Sequence, residues 1–131
     1  MTNFEENGVC VARLIKEWEE HGKLIIAFDF DNTVYDYHKQ GLDLNRVRRA
    51  VIEAHKAGHE VYCFTANNDQ KFVKEFCKLV LGFEPEINYA SIDFGNRKPF
   101  YSLLLDDRAG LGSAIQTLET VNQHIETKRL H

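Results

Sequence analysis

Residues 28–38, FDFDNTVYDYH, set Asp29 and Asp31 two positions apart directly after the apolar run LIIAF, and Thr33 follows two positions later. Three further segments end or flank apolar runs with groups capable of chemistry: Thr65 in CFTAN, with Asn67 beside it; Lys98 in NRKP; and the adjacent acids Asp106 and Asp107 in LLLDD. Carboxylates brought together at the end of a buried segment repel one another and lose hydration. The usual remedy is a hard divalent cation bound through oxygen. Mg²⁺ suits such a set, because it keeps several waters and takes only one or two carboxylates plus a substrate phosphate. A lysine and a threonine hydroxyl beside it would complete the surroundings of a transferring phosphoryl group, whose charge must be stabilised for the reaction to proceed.

These groups act together only if the fold delivers them to one place. Residues 24–30, LIIAFDF, form a short and nearly continuous apolar run, as expected of a strand covered on both faces in a parallel sheet, with Asp29 at its carboxyl end. Residues 44–57, LNRVRRAVIEAHKA, space Leu44, Val47, Val51 and Ala54 as one helical face, with Asp43 as N-cap and Gly58 as stop. HEVYCFTA at 59–66 reads as a second strand; the helix after it is spaced by Phe72, Phe76 and Leu79 and stops at Gly82. EINYASID is a weaker strand pattern, YSLLLDD at 101–107 a stronger one, and GSAIQTLETVNQHIETK closes as a helix. Ahead of the first strand, Val11, Leu14, Ile15 and Trp18 mark an amphipathic helix over 9–21 that ends at Gly22.

This alternation predicts an α/β fold: a Rossmann-like three-layer sandwich with a mostly parallel central sheet. In such sheets ligands bind beyond the carboxyl ends of the strands. Asp29, Asp31, Thr65, Asp106 and Asp107 are all placed there, with Lys98 on the approach to the last strand.

DFDNT at 29–33, the threonine of CFTAN, the lysine of NRKP and the acids of LLLDD, in that order, resemble the four motifs of the haloacid dehalogenase (HAD) superfamily, from Leu24 to about Gly112. The resemblance implies a Mg²⁺-dependent phosphatase of small capless type, a phosphoric monoester hydrolase working through an aspartyl-phosphate. Asp29 would be nucleophile and metal ligand. Asp31 would be general acid and then base, reaching the metal through its backbone carbonyl. Thr65 and Lys98 would hold the phosphoryl group, with Asn67 beside them, while Thr33 braces the loop. Asp107 is the expected direct metal carboxylate, and Asp106 orients Lys98 or a metal-bound water. The helix over 9–21 is an addition to the minimal fold, in one hydrolase domain spanning 1–131.

Other readings weigh against these. Asp-Asn clusters commonly cap solvated turns. A phospho-acceptor receiver-like signalling domain also gathers aspartates, a threonine and a lysine, but in another order along the chain. A catalytically silent module of the same fold, serving binding or scaffolding, would have no need of every catalytic position. His55 and His59 have the spacing of a metal pair, yet Gly58 breaks the helix between them. Cys63 and Cys77 read as small core hydrophobes. RVRR at 46–49 reads as a solvated helix face able to touch a distal phosphate.

With 44% hydrophobic and 27% charged residues in 131, the chain suits one globular domain. Its net charge of -4 carries no footprint for bulk nucleic-acid binding. Three cysteines without a CxxC pair, and the acidic start MTNFEENG, favour a cytoplasmic setting with reduced thiols, and nothing approaches a membrane span. Members of the superfamily insert a cap domain after the first motif or between the second and third. Residues 34–58 and 66–97 are too short to hold one. The expected site is therefore open, to be covered by a macromolecular end or protein substrate, or by a neighbour in a homo-oligomer, with Tyr35, Tyr37 and His38 as candidate contacts.

Overall fold

The computed structural model describes residues 3–31, 33–35, 44–65, 67–87, 101–106 and 111–130. They form α1 (Asn3–His21), β1 (Ile25–Asp29), α2 (Asn45–Lys56), β2 (Glu60–Phe64), α3 (Gln70–Leu81), β3 (Glu86–Ile87), β4 (Leu103–Leu105) and α4 (Leu111–Leu130). The four strands make one sheet in the order β3-β2-β1-β4, and its pairings are parallel. Strands alternating with helices that flank one parallel sheet give the expected Rossmann-like three-layer architecture.

β1 is central because its apolar run can be buried on both sides. Ile26 and Phe28 on one face and Ala27 on the other are all fully buried. Ile26 and Phe28 join Val61, Cys63 and Leu105 in a core completed by one stripe from each neighbouring helix. Val47, Ala50, Val51 and Ala54 come from α2, Val73, Cys77 and Leu81 from α3, and Ile115, Leu118, Val121 and Ile125 from α4. The stripes recur every three or four residues, so each helix presents a single apolar face. Gly22, Gly58 and Gly82, the expected stops, have φ of 79°, 93° and 83°, a left-handed conformation that a side chain would strain.

Two helices depart from the sequence reading. α1 begins at Asn3 rather than at residue 9 and runs through Gly8, ahead of the point where the apolar periodicity starts. In α3 the most buried stripe is Val73, Cys77 and Leu81, while Leu79 is exposed. Both stripes have helical spacing, and packing against β2 selects the one that follows Cys77. The expected N-cap Asp43 lies outside the described residues; α2 begins after Leu44, which makes no side-chain cap.

The extra N-terminal helix seals the β4 side. It packs against α4, and the Ser102 hydroxyl just before β4 donates to Glu17 of α1 and accepts from the Ile25 amide at 2.9 Å. Among the described residues no helix is long and apolar enough to cross a membrane.

At the amino edge of the sheet, Nδ1 of His59 accepts from the Leu24 amide at 3.0 Å, and the Glu60 amide donates to the Leu24 carbonyl at 3.0 Å, fastening β1 to β2. His59 is buried, and that burial, assisted by Arg129, lowers its pKa from 6.5 to about 4. An unfolded chain takes up this proton near 6.5, whereas the folded one resists until about 4. The contribution is therefore full above the unfolded value and is lost as pH falls through that window, by about 3 kcal/mol at most. Urea unfolding at about pH 7.5 and about pH 5 should show this acid loss in the wild type and a smaller one in His59→Asn, which does not titrate. Equal losses would show that His59 does not govern it.

Candidate active site

The parallel register fixes what stands at the carboxyl rim. Asp29 pairs with Phe64, so Thr65 is one residue beyond that level on β2. Phe28 pairs with Leu105, so Asp106 is level with Asp29 on β4. Neighbouring strands lie about 4.8 Å apart. The chain moves outward from β1 through β2 to β3 and then returns to the other side of β1 as β4. The strand order therefore reverses between β1 and β4. Open α/β sheets take ligands beyond the carboxyl ends of their strands at such a reversal, and Asp29 and Asp106 stand at the carboxyl ends of the two strands that flank it.

Beyond Asp29 the chain turns tightly. The Phe30 amide continues the ladder to the Phe64 carbonyl at 3.1 Å, while the Phe30 carbonyl faces the amides of Thr33, Val34 and Tyr35 at 3.4, 3.2 and 3.0 Å. Asp31 lies inside this turn and bridges to Tyr35. Thr33 and Val34 are fully buried, and the Thr33 hydroxyl makes no hydrogen bond among the described residues that would brace the loop. The Tyr35 ring stacks on Phe30 at 5.2 Å and meets Phe72 and Phe76 of α3 edge-on at 5.4 and 4.9 Å. Tyr35, expected as a substrate contact, thus has its ring packed into an aromatic cluster that ties the turn to α3.

Thr65 starts a second local network. Its Oγ accepts from the Asn67 amide at 3.0 Å, Asn67 Oδ1 accepts from the Asp69 amide at 2.9 Å, and Asp69 Oδ1 accepts from the Phe72 amide at 3.0 Å as the N-cap of α3. Asn67, expected near substrate, uses its side-chain oxygen here. The sequence reading missed the relay, although an Asp immediately before an apolar-periodic run is the ordinary mark of a helix start.

Two thiols lie beneath the rim, with Cys63 paired in register with Phe28. The Cys63 thiol is raised by its hydrogen bond with Cys77, by burial, and by the charges of Cys77, Asp29 and Asp31. Cys63 and Cys77 are core thiols, as expected. His55 and His59 part company: His55 stacks on Phe83 with centroids 3.8 Å apart, while His59 points inward to Leu24. In RVRR, Arg46 and Arg49 are exposed as expected, while Val47 is buried and Arg48 half-buried. Arg46 pairs with Glu119 at 2.7 Å, and Arg48 donates to the Val34 carbonyl.

Among the described residues, no group of three His, Cys, Asp or Glu side chains is disposed to hold a metal. Lys98, Asp107, Tyr37 and His38 lie outside the described residues. Asp29, Asp31, Thr65 and Asp106 gather at one rim, and the oxygen donors among them are of the hard type that Mg²⁺ prefers. Comparison with profiles of known protein families, with curated proteins and with solved structures finds no match.

The relay predicts a specific stability effect. Thr65→Val removes the acceptor for the Asn67 amide and should lower unfolding free energy by about 1 kcal/mol, while Thr65→Ser should retain most of it. Urea unfolding of the two variants measures this, and a neutral valine would show that the relay does not hold the α3 entry.

Proposed function

We propose that the chain is a Mg²⁺-dependent phosphatase that hydrolyses a phosphate monoester through an aspartyl-phosphate on Asp29. The observation that carries this reading is the β1/β4 register, which pairs Phe28 with Leu105 and so brings Asp106 level with Asp29, with Thr65 just past the end of the adjoining strand. The motif order resembling the HAD superfamily supports the same assignment.

Asp29 is suited to attack. Its strand is locked by burial and by ladders on both sides, so the carboxylate is held without motion of the backbone beneath it. One Asp29 oxygen bonds to phosphorus as the bond to the ester oxygen breaks. Asp31 gives that leaving oxygen its proton, then takes a proton from the water that attacks phosphorus and releases phosphate from Asp29. Thr65 Oγ, oriented by the Asn67 amide, hydrogen-bonds the phosphoryl oxygens, and Lys98 balances their charge. The Asp29 carboxylate, the Asp31 carbonyl and the Asp106–Asp107 pair would hold Mg²⁺, with Asp107 in direct contact. When bound, the ion would offset the negative charge of the carboxylates and the phosphoryl group.

The open-site reading follows from length. Outside α2, α3 and β3, the longest runs left in the intervals where a cap would be inserted are residues 34–44 and 88–97, too short for a domain. The substrate is then a macromolecular end or a protein that covers the rim itself, or a second copy supplies the cover.

Phosphate release from p-nitrophenyl phosphate should require Mg²⁺ and disappear on chelation. Asp29→Asn should lower turnover by about a thousandfold or more, since an amide is neither nucleophile nor anionic ligand. Asp31→Asn should lower it by about a hundredfold or more while calorimetric Mg²⁺ binding persists. Wild-type turnover in Asp29→Asn would refute the nucleophile, and loss of all Mg²⁺ affinity in Asp31→Asn would refute the acid–base role.

A further inference from the structure

We propose that Arg48 is a positioning residue that fixes Asp31, the general acid, by clamping the far end of the turn that contains it; this rests on the phosphatase reading above. Arg48 lies in the first turns of α2, a helix held to the core by Val47, Ala50, Val51 and Ala54. Its guanidinium donates to the Val34 carbonyl twice, from Nε at 2.9 Å and from an Nη at 2.6 Å. It also lies over the Phe76 ring, 5.7 Å from the centroid, where the face of the ring attracts a cation. A planar guanidinium that spends two donors on one carbonyl and rests on an aromatic face is fixed in orientation, unlike a lysine.

The consequence concerns Asp31 more than Asp29. Asp29 belongs to β1 and is laddered to β2, and the Phe30 amide extends that ladder to the Phe64 carbonyl. Asp31 is past the ladder. On its near side the backbone is anchored at Phe30, and on its far side the Val34 and Tyr35 amides close back to the Phe30 carbonyl. That closure alone would leave the turn free to tilt as a unit. The Arg48 contact with the Val34 carbonyl removes this freedom by tying the turn to α2, and the Tyr35 ring ties it to α3. Two helices thus hold a segment of which Asp31 is the chemically active member. A displacement of about 1 Å at such a group costs about a hundredfold in rate.

Loss of the clamp therefore impairs proton delivery to the leaving group while Asp29 and Asp106, held by the sheet, stay in place. The distinguishing readout is leaving-group dependence. kcat/KM reports the steps through leaving-group departure. A p-nitrophenolate leaves with little help from an acid, whereas the alkoxide of a simple alkyl phosphate needs the proton. In Arg48→Ala, kcat/KM should fall by about a hundredfold for the alkyl ester and by no more than about tenfold for p-nitrophenyl phosphate. Arg48→Lys, which keeps a single donor, should lie between. Equal losses on the two esters, or wild-type rates in a folded Arg48→Ala, would overturn the proposal. If Arg48→Ala does not fold, the same comparison on Arg48→Lys decides, with equal loss on both esters counting against. Amide hydrogen exchange tests the clamp without any reaction. Val34 and Tyr35 should exchange at least about tenfold faster in the variant while Ala27 and Cys63 in the sheet are unchanged. Should the wild-type chain hydrolyse neither ester, the phosphatase reading fails by itself, and exchange then decides whether Arg48 clamps the turn; unchanged protection at Val34 and Tyr35 would overturn that too.

Discussion

Asp29 can occupy the rim of the sheet because the three residues before it, Ile26, Ala27 and Phe28, are fully buried and β1 is laddered to a parallel neighbour on each side. A strand in that setting has no freedom to shift, since a slip of one residue would move its side chains to the opposite faces. The same register that buries Phe28 against Leu105 brings Asp106 level with Asp29. Thr65 follows from the pairing of Asp29 with Phe64. The positions at the rim are thus consequences of core packing one residue deeper, and they need no contacts of their own to be held.

The rim is also where packing gives way to electrostatics. Asp29 and Asp31 both bear on Cys63, whose hydrogen bond to Cys77 and deep burial already keep it protonated. A buried thiol of this kind is inert toward oxidants and electrophiles. In the proposed reaction Lys98 and Mg²⁺ would supply the positive charge that the carboxylates and the phosphoryl group call for. Two of the arginines of α2 are engaged elsewhere, Arg46 on Glu119 and Arg48 on the turn.

The chain's sequence reveals β1 plainly, because an apolar run that stops at two aspartates has few other meanings. The ends of α1, α2 and α3 are legible too, since Gly22, Gly58 and Gly82 each take a positive φ that other residues resist. What escapes is decided by tertiary choice between equivalent patterns. In α3 two apolar stripes have helical spacing, and only contact with the sheet selects Val73, Cys77 and Leu81 over the one that includes Leu79. Tyr35 could face substrate or pack on Phe30, Phe72 and Phe76, and its packing is visible only once α3 crosses the turn. Arg48 is one of four residues in RVRR, and no periodicity distinguishes an arginine that holds a carbonyl from one that faces water. The order of the candidate catalytic groups along the chain was legible. The Arg48 clamp and the Thr65–Asn67–Asp69 relay that support them were not, because they depend on which loops the sheet brings together.

The central claim is that Asp29 itself carries the phosphoryl group. Rapid acid quenching of the Asp31→Asn variant during turnover, followed by digestion and mass spectrometry, tests it most directly, because slowed hydrolysis of the intermediate lets it accumulate. The expected result is a single phosphorylated tryptic peptide, residues 24–39, with the modification on Asp29 and discharged by hydroxylamine as an acyl-phosphate is. Turnover with no phosphorylated peptide, or with the phosphate on another residue, would contradict it.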